Sequence, residues 1–216
     1  CFYNGAISTG RGYSEEVFSQ LPENLGSTVT WLDTSDAGEE SYEHKFGEYK
    51  TENKYEADLI INLIKKLIEQ PLLSDYFEPN NISPQIGVIC MYKAQLNLLN
   101  RKGQSLQWFR NLINNGVVKI DTVDSYQGKE NSIIITSLVR NNSRNDIGFL
   151  KLVNRANVAL SRAKERLYIV GSTSIWNKEN TEESFGKVLT YIKDNDPTYY
   201  KIMDSKNLGG KDEKTH

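Results

Sequence analysis

Three segments carry side chains able to grip phosphate. The first, "NRANVALSRAKERLYIVG" (154–171), crowds Arg155, Arg162, Lys164 and Arg166 against an apolar strand at 167–170. Guanidinium groups on the approach to a buried strand suit an anion held at the sheet edge; equally, basic residues late in a helix favour its dipole and solvate its outer face. The second, "TVDSYQGKE" (122–130), sets the hydroxyls of Thr122 and Ser125, the amide of Gln127 and the carboxylate of Glu130 around Gly128. Such a turn can grip a sugar hydroxyl or steady a cation from a distance, or it is a plain strand-ending turn with Gly128 at positive φ. The third, "YKAQ" (92–95), spaces Tyr92 and Gln95 three apart, on one face of the first turn of a helix. Helix N-termini attract phosphate, although an ordinary helix start has the same spelling.

What is missing from the sequence narrows the chemistry. No G-x-x-x-x-G-K-[ST] occurs, and no Asp-Glu pair follows an apolar strand, so neither a phosphate-cradling loop nor an acid site for magnesium is visible. With two His and two Cys, no metal site is expected. Cations and amides aimed at phosphate without a phosphate loop imply half of a shared site.

The elements that must position these residues are legible from periodicity. Strands are expected at 27–35, 85–91, 116–123, 131–139 and 166–171. The residues Ala57, Ile60, Ile61, Ile64, Leu67 and Ile68 recur at the helical period after Asn53, which can cap the helix with Glu56 in a capping box; Pro71 ends it. Further helical stretches are expected at 92–115, interrupted near Gly103, and at 153–164 and 183–194. Short apolar strands alternating with helices predict an α/β fold with a mostly parallel sheet covered on both faces. Ligands in such sheets gather beyond the carboxyl ends of the strands, which directs attention to 90–95, 122–130, 140–146 and the helix end near Arg162.

Composition sets outer bounds. The 216 residues, 38% hydrophobic and 25% charged, can bury a real core, and no apolar run approaches the roughly 20 residues that span a bilayer. Cys1 and Cys90 form no disulfide framework, which fits a reducing, cytoplasmic setting. Charge is segregated: 33–58 hold nine acids against three Lys, and 129–166 hold eight Lys or Arg against three acids. A mildly acidic chain can thus present one basic face to nucleic acid, with the acidic segment expected away from it.

In combination, "IGVICMYKAQ", "TVDSYQGKENSIIITSLVR" and "GFLKLVNRANVALSRAKERLYIVG" resemble motifs IV, V and VI of superfamily 1 helicases, in order and at matching spacing. The subfamily resembled is that of the nonsense-mediated-decay RNA helicase, senataxin and related DNA helicase-nucleases. "FYNG" (2–5) and "NKYEA" (53–57) resemble further stretches of the same family. The resemblance implies a RecA-like three-layer sandwich acting as the second motor domain, with ATP and magnesium bound mainly by an N-terminal RecA-like domain upstream of Cys1. It implies that Arg162 is the motif VI arginine finger and that Glu130, with Gln127 and Gly128 shaping its turn, meets the nucleotide. Arg155 is implied as a second phosphate contact, and Thr122, Tyr92, Gln95 and Arg140 as contacts to a single strand of DNA or RNA. The direction of movement implied is 5′ to 3′. Departures are Cys90-Met91-Tyr92 where the family has T-P-Y, and "VNRA" where it has an acid and two arginines. The domain is expected over 1–203, monomeric, off the membrane and inactive by itself, with 204–216 a disordered tail. The alternative is a non-catalytic helicase-like module for binding nucleic acid or a partner.

Overall fold

The computed structural model describes residues 16–47, 50–74, 77, 85–176 and 180–208. Six strands form one sheet: β1 (Val29–Asp33), β4 (Ile86–Cys90), β5 (Val118–Thr122), β6 (Asn131–Ser137), β7 (Ala163–Gly171) and β8 (Tyr200–Asp204). They lie in the order β5-β4-β6-β7-β1-β8, and every neighbouring pair is parallel. A two-stranded antiparallel ribbon, β2 (His44–Lys45) and β3 (Thr51–Glu52), stands apart from it. β4 and β6 are buried along their whole length, which is why they read as unbroken apolar runs rather than alternating ones.

Helices cover both faces. α2 (Lys54–Ile68), α3 (Lys93–Ser105) and α4 (Gln107–Asn114) pack with Ile86, Val88, Ile133, Ile135 and Val170 on one side. α5 (Val153–Leu160) and α6 (Ser184–Asp194) pack with Ile89, Ile134, Leu167, Ile169 and Trp31 on the other. The alternation of Ile133 and Ile135 against Ile134 between the two cores follows from the period-2 geometry of a strand. A single turn, α1 (Glu16–Ser19), precedes β1 and buries Phe18.

The structure departs from the sequence pattern in four places. α5 stops at Leu160 and β7 already begins at Ala163, three residues before the expected strand. "AKER" is built of good helix formers, but pairing of Ala163 with Asn131 of β6 overrides local propensity. The break in 92–115 falls at Leu106, because Gly103 stays inside α3, its missing Cβ leaving room for Phe109. β8, an edge strand with a half-exposed pattern, has no counterpart among the expected strands. Of the expected tail, Asp204 ends β8, 205–207 form a 3-10 turn and Leu208 is buried; 209–216 lie outside the described residues, as does "FYNG". Among the described residues no helix is long and apolar enough to cross a membrane.

Candidate functional site

The site is divided between the two ends of the sheet, and two connections that return from one end to the other set the division. β5 is joined to β6 by 123–130 without an α-helix, only a 3-10 turn at Asp124–Tyr126. This short crossover lies on the sheet because Tyr126 is buried over β4, where a Cβ at Gly87 would collide with the Tyr126 hydroxyl. Tyr126 donates to Asn131 Oδ1, pinning the start of β6. Gly128, at φ +79°, turns the chain in the left-handed region where other residues are strained. The second connection is α5, which carries the chain from the loop after β6 back to the start of β7.

Both connections deliver their last residues to the amino-terminal edge of the sheet. Glu130 immediately precedes β6 and Arg162 immediately precedes β7, and the Asn131 N–H donates to the Arg162 carbonyl at 3.1 Å. The expected gathering of all candidate residues beyond the carboxyl ends is therefore corrected: Arg162 and Glu130 sit at the opposite edge, because α5 runs against the strands. The four cations of 154–171 have separate fates. Lys164 pairs with Glu130 at 2.5 Å, the lysine partly and the glutamate largely in solvent. Arg166 turns inward, donates to the Phe18 carbonyl and keeps a buried Nε without a partner among the described residues. Arg162 donates to the Val158 carbonyl at 3.2 Å and to Ser161 Oγ at 2.7 Å, and meets no carboxylate among the described residues. Of the four, it alone combines partial exposure with an uncommitted charge.

Arg155 belongs to the other end. It lies on the first turn of α5, at the opposite end of that helix from Arg162, which follows its C-cap. Its Nε and Nη2 donate to Asp124 Oδ1 and Oδ2 at 3.1 and 2.9 Å, and its guanidinium sits 5.2 Å from the Phe149 ring centre. Committed to a carboxylate at the far end of the helix, it does not stand beside Arg162 as a second nucleotide-phosphate contact. Between the crossover and α5, Val123, Asp124, Gln127, Asn154, Arg155 and Val158 line a cavity of about 150 Å³.

At the carboxyl-terminal edge Thr122 remains available. Its hydroxyl donates to Ser125 Oγ at 3.1 Å and accepts the Ser125 N–H at 3.4 Å, leaving a pair of partly exposed hydroxyls at the end of β5. The other three expected nucleic-acid contacts are engaged within the fold. Gln95 is fully buried: its Oε1 accepts the Asn53 N–H at 2.7 Å, and its Nε2 donates to the Asn53 carbonyl at 3.0 Å and to Ser137 Oγ at 3.2 Å. Tyr92 packs its ring on Phe149 and accepts the Phe149 N–H at 3.2 Å. Arg140 is 3% exposed, paired with Glu43 at 3.2 Å and with Asp146 at 2.6 Å. That pairing also brings Glu43, from the acidic segment, against the basic one instead of away from it.

One buried acid organises this edge. Asn53 caps α2 by accepting the Glu56 N–H at 3.0 Å, but Glu56 does not return the bond, so the capping box is only half formed. Its carboxylate instead reaches Ser137 Oγ at 2.6 Å and the Val139 N–H at 2.9 Å. Full burial pushes the Glu56 carboxyl up to about 8, although the bonds from Ser137 and Val139 pull the other way. Val139 is a β-branched residue at φ +72°, held at its N–H by Glu56 and at its carbonyl by the Asn53 side chain at 3.1 Å. Sequence reasoning missed both the Glu56 hub and the Asp124 partner of Arg155. The signal for the first was a Glu inside an otherwise apolar helix face.

A parallel six-stranded sheet with helices on both faces, carrying a cation and a carboxylate at one edge, defines an α/β domain of the RecA-like class. The family model described as "AAA domain" (AAA_12) matches residues 1–174. The chain belongs to that family, a helicase-type family, and is similar to superfamily 1 helicases. It is 36% identical over 137 residues to the NFX1-type zinc finger-containing protein 1 homolog of Caenorhabditis elegans, covering 58% of this chain and 5% of the relative. To the DNA replication ATP-dependent helicase/nuclease dna2 of Schizosaccharomyces pombe it is 39% identical over 124 residues, covering 57% and 8%. To the DNA polymerase alpha-associated DNA helicase A of Saccharomyces cerevisiae it is 31% identical over 218 residues, covering 88% and 29%. The chain thus spans less than a third of the length of each of these relatives.

Proposed function

We propose that this chain is the second motor domain of an ATP-dependent helicase and that Arg162 acts on a nucleotide held by a preceding RecA-like domain of the same protein. The observation that carries this reading is the delivery of Arg162 to the amino edge, beside the entry of Glu130, with no carboxylate on its guanidinium among the described residues. A planar, permanently charged donor set there suits phosphate oxygens, and Glu130 can accept from a sugar hydroxyl. Magnesium-bound ATP supplies the phosphoryl group when bound. Among the described residues no cluster of three or more His, Cys, Asp or Glu is placed to hold a metal ion, so the residues here that fit the nucleotide are Arg162 and Glu130.

At the carboxyl edge Thr122, backed by Ser125, faces solvent and can position a single strand of DNA or RNA by its phosphates, with little base readout. Relatives whose names contain "DNA helicase" and "RNA helicase" support nucleic acid as the partner without choosing between the two kinds of strand. The isolated 216-residue chain then hydrolyses no ATP above background, while the full-length protein does so when single-stranded nucleic acid is added. Vigorous magnesium-dependent turnover by the isolated chain would overturn the assignment.

A further inference from the structure

We infer that Arg155 is a positioning residue, locking the three loops that leave β5, β4 and β6 to α5, the helix that leads to Arg162. These strands are neighbours in the order β5-β4-β6, and their carboxyl-end loops are the ones that can meet a nucleic-acid strand. Arg155 touches two of these loops directly and the third through Phe149. It grips Asp124, in the loop after β5, through two parallel bonds. It covers Phe149, in the loop after β6, at 5.2 Å. Phe149 in turn packs on Tyr92, in the loop after β4, with the rings tilted and their centres 5.7 Å apart, and donates its N–H to the Tyr92 hydroxyl.

Magnitudes separate positioning from stabilisation. The Arg155 side chain is 27% exposed and that of Asp124 65%, so the pair adds at most about 1 kcal/mol to stability. What the bidentate fork adds is geometry, because two parallel bonds resist rotation where a single ammonium contact does not. α5 and the 123–130 crossover run side by side from edge to edge. Arg155 and Asp124 tie them at one end; Lys164 and Glu130, with the Asn131 to Arg162 backbone bond, tie them at the other. A shift of the 122–126 loop is then carried to Arg162 by two tied rods, not absorbed within one loop.

This inference rests on the proposed function, and its test separates the two. In the full-length protein, Arg155→Ala lowers turnover stimulated by single-stranded nucleic acid (oligo-dT and oligo-U as probes) by about tenfold or more, the scale of a lost coupling between sites. Turnover without nucleic acid and the KM for ATP stay within about twofold, since Arg155 does not touch the nucleotide. Asp124→Asn acts in the same direction, and combining it with Arg155→Ala adds little, as expected of two partners in one contact. Amide hydrogen exchange in the same protein rises at 123–126 and 147–150 in both variants. Parallel loss of basal and stimulated turnover would make Arg155 a nucleotide contact and overturn the inference, as would unchanged stimulation or unchanged exchange. If the wild-type protein shows no stimulated turnover, the proposed function fails, and the exchange measurement still judges the lock. Should Arg155→Ala not fold, Asp124→Asn, which keeps size and a polar side chain, carries every readout.

Discussion

The two ends of this sheet spend the same kinds of side chain differently. At the carboxyl edge Gln95, Asn53 and Glu56 are fully buried, and the Gln95 amide binds the Asn53 backbone at both its N–H and its carbonyl. At the amino edge the side chains of Arg162, Glu130 and Lys164 lie partly or largely in solvent, and the Lys164–Glu130 pair is a contact that water and salt weaken. A buried amide must be satisfied by the fold or it costs stability; a half-exposed guanidinium carries no such obligation and stays free to meet a ligand. Residues that a family resemblance groups into one site can therefore differ in kind. Gln95 and Tyr92 hold the loops in place, and Arg162 keeps its charge unpaired with a carboxylate among the described residues.

That contrast fails if amino-edge substitutions unfold the domain or carboxyl-edge ones leave it untouched. The largest effect expected is from Arg162→Ala in the full-length protein: turnover falls by about 10³-fold, the scale of an arginine finger, with ATP affinity nearly kept. Arg162→Lys restores little, because an ammonium lacks the fork. The stability of the domain is expected to change little, by about 0.5 kcal/mol, because the partly exposed Arg162 side chain fills no core position. A melting curve that collapses with Arg162 would make it a structural residue.

Gln95→Ala is the mirror experiment. It leaves the Asn53 N–H and carbonyl and the Ser137 hydroxyl short of a partner, at a cost of about 3 kcal/mol, or a drop in Tm of roughly 6–12 °C. Calorimetry checks it.

Glu56→Gln sharpens the comparison through pH. A carboxyl whose folded value lies at about 8, against about 4.5 when free, holds its proton more firmly in the native state. Wild-type stability is therefore expected to fall as pH rises from about 4.5 to 8, a cost the amide does not incur. Across that window the Tm difference between variant and wild type should move steadily in the variant's favour from pH 5 to pH 8, by roughly 2–4 °C for each kcal/mol of stability lost. A constant difference would mean that Glu56 does not take up the proton. The smallest effect is at Lys164→Ala, where loss of the exposed pair with Glu130 costs less than about 1 kcal/mol by denaturant titration.

Sequence alone reaches the elements whose signal is local. β4 and β6 show themselves as apolar runs, α2 by its period and its Asn53 cap. The start of β7 is read three residues late because Ala163–Glu165 are helix formers whose strand state depends on Asn131, 32 residues before Ala163. β8 is invisible because Tyr200–Asp204 form an edge strand with neither alternation nor an apolar run. Within the site, the family resemblance singles out Arg162 and Glu130 as expectations, but neither it nor the spacing says which edge they occupy. Spacing likewise does not distinguish Gln95, which faces inward, from a residue open to solvent.

The strand order also fixes a timetable for the ribosome. β1 is flanked by β7 and β8, the last two strands of the described chain, so Val29 finds Leu167 and Tyr200 only after about 140 and 170 further residues have been made. At about 5–20 residues per second that is a wait of roughly 7–35 s. Throughout it the Val-Thr-Trp-Leu-Asp strand has no sheet neighbour, and Trp31, buried in the finished domain, has no core to enter. Newly made chains should depend on a holding chaperone for this segment far more than for β4, β5 and β6, which follow one another closely in sequence and can pair as they emerge.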